Sequence, residues 1–295
     1  MTVINLKGNV TLKTPLIIKN GDTLNVAPGT VINCSSTAGS SPSLYDNLNK
    51  SGGIFLSSGS TTNMNGTEKN PIVVRKDPKA SNSNWSGMYF MSNNKNTSKT
   101  VLEDWTAAEI GPELVAALTY GEGASLMKSK HNLKCVVVDG AGGSDGDLNS
   151  VTFGGATCPG VEKIMVLNGQ DDGIECFGGE LTLKQVAVSN VLDDAIDADQ
   201  GAQVTVLGAF LIRGPDSGNF IEAGGSKGKD RTRVIGTNVN CKGEDATGRG
   251  AVQTKDFSNV MVNGFMSLPT LTQLGSYKLN AFGATTMCVT KKSSD

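Results

Sequence analysis

The side chains best suited to chemistry in this sequence are acids that recur at a fixed spacing. Asp171-Asp172-Gly173-Ile174-Glu175-Cys176-Phe177-Gly178-Gly179 is followed 22 residues later by Asp193-Asp194-Ala195-Ile196-Asp197-Ala198-Asp199-Gln200-Gly201. Strand alternation gives the pattern a meaning: with Ile174, Cys176, Ile196 and Ala198 turned inward, Glu175, Asp197 and Asp199 face outward. Glu175 then lies under Asp197 at about 4.8 Å, one strand spacing, and Glu222 continues the column. Like charges on neighbouring rungs repel, so something must offset them. Lys184, Arg213, Lys227 and Lys229 are candidate neighbours, a bound Ca²⁺ is a second means, and a raised pKa is a third.

Four chemistries fit such a cluster. In the first, Asp171, Asp172, Asp193 and Asp194 are corner residues whose side chains satisfy backbone amides, and the outward acids are solvated; this reading is favoured. In the second, the same four aspartates hold Ca²⁺, a hard cation suited to oxygen-rich loops, although no loop has EF-hand spacing. In the third, the face binds a glycan without cleaving it. In the fourth, a carboxylate pair drawn from Glu175, Asp197, Asp199 and Glu222 hydrolyses a glycosidic bond. Adjacent-rung acids approach the about 5–5.5 Å of retaining glycosidases, a spacing that any parallel coil carrying two acids produces by default.

Other site types are poorly provided for. The single histidine, His131, stands as Lys130-His131-Asn132, reads as a solvated loop residue, and cannot anchor a Ser/His/Asp set. Cys34, Cys135, Cys158, Cys176, Cys241 and Cys288 are far apart with no C-x-x-C pair, which predicts buried free thiols and no zinc site. Phosphate loops and dinucleotide fingerprints are absent. With 26 basic residues against 28 acidic ones and no basic block, nucleic acid is not an expected partner. No apolar run is long enough to enter a membrane, and no leader is visible, so synthesis in a cytoplasm is expected.

Short β-favouring runs position the acids. Val161 to Val166, Leu181 to Val188 and Val204 to Leu211 recur at about the same 22-residue period, which excludes leucine-rich and helical repeats because neither of their patterns accompanies it. Such units cannot bury their apolar faces alone, so they must stack. The expected fold is all-β: a single right-handed parallel β-helix, a β-solenoid with coils of about 22 residues, spanning 1–295. The 37 glycines suit its corners. Residues 35–52 read as an expelled loop. Residues 95–132 read as an insertion with a short helix that Pro112 opens and that Trp105 and Ile110 pack onto the rod. Residues 269–295 read as a C-terminal cap.

From Leu133 to Gly225, through Asp139-Gly140-Ala141-Gly142 and the two acidic units, the sequence resembles right-handed β-helix proteins whose repeats read D-D-G-I-E-F-F-G-G and D-D-x-x-D. Ile18 to Leu24 and Ala27-Pro28-Gly29-Thr30 look like the first coil of that group. The resemblance implies a phage-type virion component: a tail spike, fibre or capsid decoration, usually trimeric, that recognises a receptor. The implied partners are further copies of the chain, other virion proteins and host-surface polysaccharide, with no cofactor unless Ca²⁺ is bound. A structural and recognition role is favoured over catalysis. A polysaccharide-degrading hydrolase or lyase and a bacterial surface adhesin at the cell exterior are the alternatives. Trp85, Tyr89 and Trp105 are the aromatic candidates for touching a glycan or partner subunit, with core packing as the other use of each ring.

Overall fold

The computed structural model describes residues 1–37, 43–80, 85–94, 96–142, 148–224, 231–243, 252–255, 258–267 and 286–290. Strands of four or five residues hide their apolar side chains by stacking coil on coil, and the pairing is parallel throughout the rod. Val3–Leu6 pairs with Thr23–Val26, which pairs with Thr61–Asn65, which pairs with the first part of Lys130–Asp139. Asn9–Leu12, Val31–Cys34 and Ile72–Lys76 build a second face and reach the second part of the same long strand. A third face runs from Pro15–Ile18 through Gly53–Leu56 and Met88–Met91 to Val151–Leu167, Ile174–Ser189, Ile196–Asp199, Ile221–Ala223 and Val252–Thr254. The chain is therefore a parallel β-helix.

Register fixes what fills the interior. On the third face one inward column reads Ile18, Leu56, Phe90, Phe153, Cys176, Ala198, Ala223, so bulk rises to a pair of rings 5.2 Å apart and then falls away. Side-chain ladders tie one coil to the next. Asn25 donates to Asn5 at 3.0 Å, Asn63 to Asn25 at 2.9 Å and Asn132 to Asn63 at 3.3 Å. A second ladder joins Asn190 to Asn168 and Asn168 to Asp139, each at 2.8 Å. The thiols of Cys34, Cys135, Cys176 and Cys241 are free and buried, as expected.

The outer side of the third face carries a second core. Phe55, Tyr89, Met91 and Phe177 point away from the rod and pack with Leu102, Trp105, Ile110, Leu114 and Tyr120 of the insertion and Leu48 of the expelled segment. The insertion helix α2 (Ala107–Ala117) bends at Gly111, whose φ is 80°, and Pro112 opens its second half, with Ile110 buried as expected. Two boundaries differ from expectation. The 35–52 segment is not all loop: helix α1 (Leu44–Lys50) forms because Ser43 caps it and Lys50 pairs with Asp46 at 2.7 Å. Residues 130–132 belong to the strand Lys130–Asp139 and not to the insertion. Of the expected cap, Thr286–Thr290 lies antiparallel on Asn259–Ser267, and the rest of 269–295 falls outside the described residues.

Gly179 shows how tightly the insertion is keyed to the rod. Its φ is +76°, its N–H donates to Thr97 Oγ1 at 2.9 Å, and a Cβ there would land on the Ala156 backbone. Gly208 has a similar φ of +81° but nothing nearer than 3.9 Å. Gly208→Ala should therefore cost about 1–2 kcal/mol for its backbone alone, and Gly179→Ala clearly more. Urea unfolding midpoints of the two variants check the order, and equal losses would refute it.

Candidate functional site

The outward column of the third face changes character along the rod. It reads Ile17, Phe55, Tyr89, Thr152, Glu175, Asp197, Glu222, Gln253. The apolar rungs lie under the insertion. Beyond it stand the acids, stacked in register as the repeat predicts. Three residues before each rung from Thr152 to Glu222 is a corner residue: Asn149, Asp172, Asp194 and Asn219.

These corner side chains cap the backbone of the next coil. Asp172 N donates to Asn149 Oδ1 at 3.3 Å, Asp194 N donates to Asp172 Oδ1 at 2.7 Å, and Asn219 N donates to Asp194 Oδ1. The corner role expected of Asp172 and Asp194 is thus present, and it works between coils. At the two ends the corner residue is an amide, and it also serves the column: Asn149 Nδ2 donates to Glu175, and Asn219 Nδ2 donates to Glu222 at 3.4 Å. In the middle both positions are carboxyls. Carboxyls are therefore concentrated where Asp172, Asp194 and Asp197 meet.

Burial makes this expensive. Glu175 and Asp197 are each 7% exposed and Asp194 is 3% exposed, because the coils above and below and the insertion close around them. Loss of water, then the charges of the other acids, pushes the carboxyls of Asp172, Glu175 and Asp197 well above the usual range. Asp194 is raised to about 8, by burial first and then by Glu222. Asp199, one step along the strand from Asp197, is raised mainly by burial, with Lys255 pulling the other way. Glu103 of the insertion adds its charge to Glu175.

The open part of the cluster is a cleft of about 350 Å³ lined by Asp172, Asp193, Asp194, Asp197, Glu222, Gln253 and Lys255. Lys255 pairs with Glu222. Burial works against its ammonium, but Glu222, Asp197 and Asp199 hold its pKa above the ordinary value. Oxygens of Asp194, Asp197 and Glu222 lie within 4.8 Å of one another, as do those of Asp172, Glu175 and Asp197, and those of Asp171, Asp172 and Asp193. Such triads have the donor type and spacing that a hard cation takes.

The structure thus gathers the candidate acids and corrects several other expectations. Among the described residues, Lys255 pairs with the acid column. Lys184 is in register with Glu162 on another part of its strand, Arg213 is buried 5.4 Å over the Phe220 ring, and Lys227 and Lys229 lie outside the described residues. Trp85, Tyr89 and Trp105 are not surface contacts. Trp85 fills the interior with its Nε1 donating to the Asp139 carbonyl at 3.2 Å, while Tyr89 and Trp105 belong to the core beneath the insertion. His131 is not solvated: it is fully buried against Phe90 with Nε2 3.1 Å from the Met91 carbonyl, and burial lowers its pKa to about 4. Asn149, Asn219, Gln253 and Lys255 were missed. The signal for the two asparagines was their place in the repeat, three residues before Thr152 and Glu222.

A family model described as a pectate-lyase-like β-helix domain matches residues 2–274. The chain belongs to that family. A search of curated proteins gives no match. Among solved structures, PfbA, a surface adhesin of Streptococcus pneumoniae, is 10% identical over 98% of this chain and 92% of its own, with a TM-score of 0.18, too low to carry an argument. No helix of the described residues is long and apolar enough to cross a membrane.

Raised carboxyls give this family member a characteristic pH dependence. Unfolded carboxyls titrate near 4, so from there upward the folded chain holds more protons than the unfolded one. Stability is lost as pH rises toward and through the folded pKa values, about 8 for Asp194. His131 acts oppositely, but only between about 4 and its ordinary 6.5. The melting temperature should therefore fall by roughly 5 °C or more between pH 6.5 and 8.5, and Asp197→Asn should flatten the slope. A melting temperature that is constant or rises over that window would overturn the assignment.

Proposed function

We propose that this pectate-lyase-like β-helix protein acts on a glycan at the carboxyl cleft, with Asp194 and Glu222 as its reacting pair. One observation carries the reading: the two carboxyls meet in the cleft, and Lys255 pairs with Glu222. Asp194, with its pKa raised to about 8, keeps its proton at pH 7, while Glu222 is ion-paired with Lys255. A carboxylic acid beside a carboxylate is what cleavage of a glycosidic bond needs. Their oxygens approach within 4.8 Å, which favours the close geometry of retention over the wider one that leaves room for a water between the two groups. Glu222 attacks the anomeric carbon as the bond to the leaving oxygen breaks, and Asp194 gives that oxygen its proton. Water then attacks the glycosyl-enzyme, returning a proton to Asp194 and freeing Glu222. The family's description, framed on a polysaccharide lyase, supports a sugar polymer as substrate.

The test is a panel of neutral, amino and uronic polysaccharides assayed for new reducing ends. Asp194→Asn and Glu222→Gln should each lower turnover of the accepted polymer by at least ~100-fold with the folded β signal retained. Absence of turnover across the panel, or variants as active as the parent, would remove the hydrolytic reading.

A second reading concerns assembly, and it is the one the repeat resemblance implies: a trimeric component of a phage-like particle that meets host polysaccharide. It is favoured by an outward column on successive coils in which Met165 and Phe210, 42% and 46% exposed, flank Ala187. Apolar side chains stacked on a flat parallel face suit a second copy of the chain. Light scattering should give a trimer that Phe210→Asp dissociates; a monodisperse monomer would overturn it.

A further inference from the structure

Resting on the glycan reading above, we propose that the cleft is built for a ligand that carries an ammonium group, an amino sugar, and that Lys255 occupies its place until it arrives. The first argument is charge. The cleft is lined by Asp172, Asp193, Asp194, Asp197 and Glu222, with Lys255 the one cation among its described lining residues. Asp172, Asp194 and Asp197 hold their protons above the usual carboxyl range through burial and for want of counter-charge, and a uronate, the charged unit of pectate, would add one more acid. An ammonium beside Asp197 supplies the counter-charge that lets it ionise, together with three donors.

A second observation points to a missing donor. Asn219 Oδ1, at the Glu222 end of the cleft, is buried and has no hydrogen-bond partner among the described residues. The Asn219 amide is held by its Nδ2, which donates to Glu222 at 3.4 Å and to Gln253 at 3.2 Å, leaving the oxygen as an unused acceptor. Asn219 is 1% exposed. A buried amide acceptor beside Glu222 therefore stands without the donor that an ammonium would supply.

Lys255 shows what fits. Its ammonium sits on Glu222, yet its side chain is 56% exposed and arises just after the three-residue strand Val252–Thr254. A flexible stem that is half in solvent can swing aside at little cost when a better-placed ammonium competes for the same carboxylates.

Titration calorimetry on the full chain tests this with five probes: the glucosamine tetramer, its fully N-acetylated form, tetragalacturonate, putrescine and calcium chloride. The glucosamine tetramer should bind at least 10-fold more tightly than the N-acetylated one. Lys255→Met should tighten that binding several-fold, and Asp197→Asn, nearly isosteric, should weaken it about 10-fold. Binding of the N-acetylated or uronic tetramer as tightly as the amino one would overturn the ammonium assignment while leaving a glycan site. Binding of putrescine that depends on Asp197, with neither neutral nor amino tetramer bound, would keep the ammonium assignment and remove the glycan reading. Calcium binding at Asp197 without amine binding would overturn the proposal in favour of a metal site, and no binding by any probe would overturn both readings.

Discussion

Stacking of the coils in register, one strand spacing apart, is the constraint on which the rest depends. Whatever side chain occupies a position meets its own equivalent directly above and below, so each choice is made many times over. For apolar residues this gives a continuous interior, and for asparagine a ladder in which each inner amide gives and receives a hydrogen bond. For acids it forces repulsion that a single helix or loop would never impose. The chain answers the repulsion with proton retention, amides at the two ends of the acid block and the ammonium of Lys255.

Much of this was legible from residues alone. The spacing of Asp171 and Asp193, with Ile174 over Ile196, sets both the coil and the outward direction of Glu175 and Asp197, because a parallel strand pair admits few other registers. Pro112 and the apolar run after it marked the insertion helix. What was hidden were contacts between parts distant in sequence. Nothing near Trp105 or Tyr89 reveals that each ring has a covering partner, and His131 looks solvated until the strand that carries it is known to cross the interior beside Phe90. Lys255 lies in a coil whose repeat has decayed to Val-Gln-Thr, so periodicity could not align it with the acids it serves.

The third face is divided between two solutions to one problem. Its outer side would expose a column of side chains along the whole rod; the lower rungs are apolar and the insertion covers them, while the upper rungs are acidic and remain partly open. Tyr120 marks the boundary, contributing its ring to the covered half and donating its hydroxyl proton to Gln200 at 2.6 Å on the acid side. The insertion is thus both lid for one half and wall for the other, which explains why the acids beside it are so deeply desolvated.

Asn149 and Asn219 bracket the acid block, and this makes the site a length measured in coils. A coil inserted between them with aspartate at the corner would lengthen the charged strip by one rung without disturbing the rod, and one with asparagine there would end it. The extent of the acidic strip is therefore set by the count of coils with aspartate at the corner between two amide ends, a ruler written into the repeat itself.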